Sequence, residues 1–186
     1  MERAGENFQE LETLLVSGSP QERVHAALQL GRGGRPEHVA KIREMLLGTG
    51  NARAQMILAP IVVGWEDETY LEILRAPDAD VRAIYAIVKS LAVQKRGVPL
   101  NGIAFLLDHS SPFVRYALLD YRCAMKQPVV HLDAMVSDIR ADAMFLNDAD
   151  FDDSWPSPIF GNKERFLRRV AATRKCLSDV NQLYEI

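Results

Sequence analysis

Asp148, Asp150 and Asp152 stand at alternate positions of the run 147–158, the spacing with which a calcium-binding loop opens. Three carboxylates so placed offer hard oxygen ligands to one ion. The rest of that pattern is missing. Asp153 holds the sixth position, where the sharp turn needs glycine, and Ile159 the twelfth, where a bidentate glutamate belongs. The same run carries Phe151 and Trp155 among Asp148, Asp150, Asp152 and Asp153. Bulky aromatics flanked by acids suit an anchor for a basic protein surface better than a plain linker does. The alternative reading is a cover folded back over the last helical hairpin.

Other chemistry-bearing residues are scattered. His25, His38, His109 and His131 form no HExxH pattern and read as surface or cap residues. Neither GxSxG nor GxxxxGK[ST] occurs. Gly31-Arg32-Gly33-Gly34 follows a helical run and not a strand, so it reads as a helix stop and not a phosphate cradle. Cys123 and Cys176 have no CxxC or Cys/His neighbours and read as two free thiols in a reducing cytoplasm, with a lone disulfide as the less favoured alternative that spacing does not exclude. No catalytic residue, metal or cofactor is expected, and the chain reads as a binding module and not an enzyme.

The cations show more order. Val24-His25, Ala52-Arg53, Val81-Arg82 and Val114-Arg115 recur at steps of 28, 29 and 33 residues, each after a turn. On this reading each pair takes the same place in its helix. Arg53, Arg82 and Arg115, with Arg32, Lys89 and Arg122, then form a basic stripe attractive to an acidic protein or a phosphate backbone. The structural reading is that each arginine ties one repeat to the next through a carboxylate, with Asp80 and Asp108 as candidates. Nucleic acid is the less favoured partner. Residues 20–126 carry a net charge of only +3, and aromatics are not interleaved with the bases.

Positioning such residues falls to helices. Ser19-Pro20-Gln21-Glu22 is a capping-box start with proline at the first helical position. Val24, Ala27, Leu28 and Leu30 follow at helical spacing. Pro36 opens a second helix with Val39, Ile42, Met45 and Leu46 on one face. Further helices are expected over 51–63, 68–74, 79–93, 100–107, 112–125, 132–144 and 163–184. No strand alternation appears. Apolar residues form 48% of the 186-residue chain and charged residues 25%, the balance of a globular domain. The charge is uneven: 127–160 carry one base against seven acids. Residues 1–12 lack the basic start and apolar run of a secretory signal, and 56–65 are too short to span a bilayer, so a cytoplasmic protein is expected.

A unit of helix, tight turn and helix cannot bury its own apolar face, so neighbouring units must stack. Asp80-Val81-Arg82, and less closely Ser111-Pro112-Phe113-Val114-Arg115, match the Asp and Val-Arg pair of the HEAT-repeat family, which residues 8–126 resemble. The resemblance departs at His25, where arginine is usual, and at Ala52, where valine is usual. It implies an all-α, short right-handed α-solenoid forming a single domain over 1–186. Helical repeats would span 8–126, an added helix 127–144, an acidic aromatic loop 145–162, and a capping helix 163–186. Arrays of this kind mostly bind other macromolecules. The expected function is therefore protein binding, through the acidic loop, the arginine face or both. Its concrete form is an inhibitor or immunity protein that blocks a basic bacterial toxin or enzyme. The alternative is a HEAT-like enzyme or assistant of the chromophore-lyase or DNA-glycosylase type, for which Trp65, Tyr85 and Tyr116 are the available stacking aromatics. The iron-binding hydroxylases of such folds use repeated His-Glu pairs, and Glu37-His38 occurs here once in reverse order.

Overall fold

The computed structural model describes residues 3–33, 35–48, 52–64, 67–77, 79–147, 151 and 161–185. Among them the chain is all helical. The helices are α1 (Arg3–Ser17), α2 (Pro20–Gly31), α3 (Pro36–Gly48), α4 (Ala52–Gly64), α5 (Asp67–Arg75), α6 (Val81–Val93), α7 (Leu100–Ile103), α8 (Pro112–Ala124), α9 (Leu132–Met144) and α10 (Lys163–Leu183). None is long and apolar enough to cross a membrane.

Local chemistry sets the helix starts. The Ser19 backbone N–H donates to the Glu22 carboxylate at 2.8 Å, and the Glu22 N–H donates back to the Ser19 hydroxyl at 3.4 Å. Asn162 accepts the Arg165 N–H at 2.9 Å and opens α10. Two elements differ from the sequence reading. α1 is a full helix from Arg3, with Leu15 buried and Leu11 and Leu14 packed on the core, in a segment read for its charge and expected to join the helical repeats only from residue 8. The expected helix over 100–107 breaks into α7 and a 3-10 turn, Ala104–Asp108. Gly102, which weakens an α-helix, sits at the break, and its N–H bonds to the Pro99 carbonyl at 2.8 Å.

The helices sort into two rows. In one, Glu12 on α1 bonds His38 on α3 at 2.9 Å, and Arg43 on α3 pairs with Glu72 on α5 at 2.7 Å. His38 is thus buried at 3% exposure inside α3 and is not the surface or cap residue expected of it. In the other row α2, α4, α6, α8 and α10 touch in succession. Gly31 closes the α2–α4 crossing, where a Cβ would stand 2.4 Å from the Ile61 side chain.

The last three helices of that row run parallel in a constant register. Lys89 meets Asp120, 31 residues on. Asp120 accepts from Thr173 at 3.3 Å, 53 residues on, and Cys123 bonds Cys176 at the same separation of 53. The helix ends repeat too. Lys95 and Lys126, again 31 apart, both take left-handed φ values, 50° and 53°, where glycine is usual. Each stands in a Schellman-type stop: Arg96 N–H bonds the Leu91 carbonyl and Gln127 N–H the Arg122 carbonyl. The segments that follow are then held by the next helix in the row. Tyr121 Oη accepts the Val98 N–H at 2.9 Å and donates to the Arg96 carbonyl at 3.1 Å. Asn181 takes the Val129 N–H and carbonyl at 2.9 and 2.8 Å.

The cysteines correct the sequence reading. They form a disulfide with Cα atoms 6.0 Å apart, joining α8 to α10. Spacing along the chain cannot show that parallel helices bring residues 53 apart level with one another. Joined to each other, the two cysteines no longer point to a reducing compartment.

Candidate functional site

The described site residues sort by what they touch. Asp80 caps α6. Its Oδ1 accepts the Arg82 backbone N–H at 2.7 Å and Nε at 3.1 Å, and Oδ2 accepts Nη2 at 3.0 Å. Partial burial works against the Asp80 ion, but the Arg82 fork, with a further hydrogen bond from Gln55, holds its pKa below the ordinary carboxylate value. Asp80→Ala should lower stability at pH 7 by about 1–2 kcal/mol through the lost cap. A carboxyl whose folded pKa is depressed stabilises above its unfolded pKa and loses that contribution as pH falls. The gap between variant and parent should therefore close below about pH 4 in urea titrations. A gap unchanged at pH 3 would assign the loss to something other than the charge.

Arg115 pairs with Asp142 on α9, not with the expected Asp108. The pairing is of the expected kind, a tie to the next helix, with another carboxylate. The arginines do not share one place in their helices. Ala52 and Val81 are the first residues of α4 and α6, whereas Val24 is the fifth of α2 and Val114 the third of α8. Two positions turn a side chain by about 200°, so Arg82 and Arg115 face different directions. The side chain of Arg53 lies outside what is described, as do Asp148, Asp150, Asp152, Asp153 and Trp155.

Phe151 is 3% exposed, with its ring 5.4 Å from Phe113 and 6.0 Å from Phe166. Of its two readings, partner anchor and cover, its position is that of a cover. The acids beside it carried no sign that the ring itself turns into the core.

The densest polar constellation is one that sequence reading did not assemble. Tyr85 and Lys89 come from α6, Tyr116 and Asp120 from α8, and Arg169 and Thr173 from α10. Lys89 pairs with Asp120, whose other oxygen accepts from Thr173 at 3.3 Å. Tyr116 is hydrogen-bonded with Thr173 and Arg169. Burial first pushes both phenols above the ordinary tyrosine pKa, Tyr85 far above it, and neighbouring groups add to the rise, the Tyr116 phenol and then Asp120 at Tyr85, and Asp120 at Tyr116. They stay protonated, as donors and not bases. Both are also buried, so neither offers a base-stacking surface. The constellation can bind three helices in register. The shared step of 31 from Lys89 to Asp120 and from Lys95 to Lys126 was the available signal.

Among the described residues, two of the surface grooves lie between helices. One, of about 940 Å³, lies between α2, α3 and α4, with Val24, Met45, Ile57 and Leu58 along it and Arg23 and Glu44 at its rim. The other, of about 560 Å³, lies between α9 and α10. Comparison of the chain with protein-family models, curated proteins and solved structures gives no match.

Proposed function

We propose that this chain is a non-enzymatic protein-binding module built as a short α-solenoid of HEAT-like hairpins, with α10 as its capping helix. The observation that carries the reading is the constant parallel register of α6, α8 and α10, with helical segments returning between them. Stacked units of this kind present extended surfaces and grooves to partners. The described ion pairs at Arg82, Lys89 and Arg115 are spent on caps and interhelical ties, which favours a framework over a reaction centre. In its concrete form the module is an inhibitor or immunity protein that blocks a basic toxin or enzyme, with Asp148, Asp150, Asp152, Asp153 and Trp155 as contact residues.

The test starts with the immobilised chain as bait in lysate of its source. The recovered protein is then purified and titrated calorimetrically. A one-to-one complex with a basic enzyme, weakened at least about tenfold by combined Asp150→Asn, Asp152→Asn and Trp155→Ala changes, is expected. A complex insensitive to those changes would remove the inhibitor form. Base excision or lyase turnover without any stoichiometric protein partner would overturn the module itself.

A further inference from the structure

The groove between α9 and α10 has a chemistry of its own. Asp133, Val136, Ser137, Arg140, Ala141 and Met144 form a continuous stripe along α9, and Leu167 and Arg174 close it from α10. The stripe is about 16 Å long at 1.5 Å per residue, the reach of about five extended residues. The two helices run antiparallel here, since Arg174 donates to Asp133 at 2.8 Å near one end and Lys163 to the Met144 carbonyl at 3.1 Å near the other. Both ends are thereby fixed.

Two observations say what fits. The apolar part of the wall is exposed, with Met144 at 62% and the adjoining Phe145 at 86%. The charge is unbalanced toward the cation. Asp133 is committed to Arg174, and Glu164 pairs with Arg168 at 3.7 Å. Arg140 lines the groove with no carboxylate partner among the described residues, whereas Arg115 on the neighbouring helix holds Asp142. A guanidinium beside apolar surface favours a carboxylate that carries an apolar neighbour.

We propose that this groove seats a short acidic–apolar segment of a partner protein, a carboxylate on Arg140 and an apolar side chain against Ala141, Met144 and Leu167. The proposal rests on the protein-binding reading and names a surface for it distinct from residues 148–155.

The probe is a fluorescein-labelled ten-residue peptide with two glutamates flanking leucine and phenylalanine, followed by anisotropy. Its glutamine counterpart is the control. Saturable binding of the glutamate peptide is expected, at least about tenfold weaker for the counterpart, for Arg140→Glu and for Met144→Glu, and unchanged for the exposed Arg75→Glu. Circular dichroism checks that each variant folds. No saturable binding, or binding indifferent to Arg140→Glu, overturns the proposal while leaving capture of a protein elsewhere on the chain open to the earlier test. Two further outcomes also overturn it. One is binding that appears only after Asp148, Asp150, Asp152 and Asp153 become asparagine, which would name the chain's own acids as occupants. The other is a dimer in sedimentation that Arg140→Glu dissociates, which would name a second copy.

Discussion

Replacing Cys123 and Cys176 by serine should lower the unfolding free energy by about 4 kcal/mol. The bond spans 53 residues, so it withholds a large share of the conformational freedom the unfolded chain would regain. It also fastens α10 to the C-terminal end of α8, between Thr173 and Leu177 on one helix and one turn beyond Asp120 on the other. Urea titrations of the parent, the parent in reductant and the double serine variant should give one stable curve and two weaker ones that coincide. A parent curve unmoved by reductant would mean that the two sulfurs are not joined in the folded protein. Since the total stability of a domain is only about 5–15 kcal/mol, this one bond can decide whether α10 stays docked at elevated temperature.

Phe166→Ala should cost about 3–5 kcal/mol. The ring is fully buried, 5.0 Å from Phe113, 5.4 Å from Tyr116 and 6.0 Å from Phe151, with edge-to-face geometry toward the first two. Truncation removes its transfer free energy, leaves a cavity that three other rings cannot readily collapse into, and deletes edge contacts worth about 0.5–1.5 kcal/mol each. The neighbouring Leu167→Ala, on the partly exposed groove side, should cost clearly less. The measurement is the shift in denaturation midpoint at constant slope. Equal shifts for the two would show that the aromatic cluster is not the core of this end of the protein.

These residues explain how far the sequence could be read. α2, α3 and α9 were legible because their signals are local: a capping box, a proline at the first position, an apolar stripe. α1 lacked a start signal strong enough to outweigh its acids. The Val-Arg pairs misled for a physical reason. A short word can recur at similar steps while helix phase is set by caps and by what the core accepts. The structure sets α6 against α8 at a step of 31, two residues short of the 33 that separates Val81 from Val114. Arg82 and Arg115 therefore face different ways. The disulfide, the Lys89, Asp120 and Thr173 constellation, and the α9–α10 groove depend on helices meeting across 31 and 53 residues, which no local pattern encodes. Phe151 was visible as an unusual aromatic among acids, but its direction is a tertiary property.

The covalent link between residues 123 and 176 also changes what cutting the chain would do. A protease that hydrolyses any peptide bond between them, in α9 or in the acidic stretch that follows it, produces two pieces that remain one molecule. Such a nick would be invisible by mass on a non-reducing gel, apart from the added water, and would separate into two bands only after reduction. The segment 127–175 is therefore a place where the backbone can be opened without releasing the last helix from the row it completes.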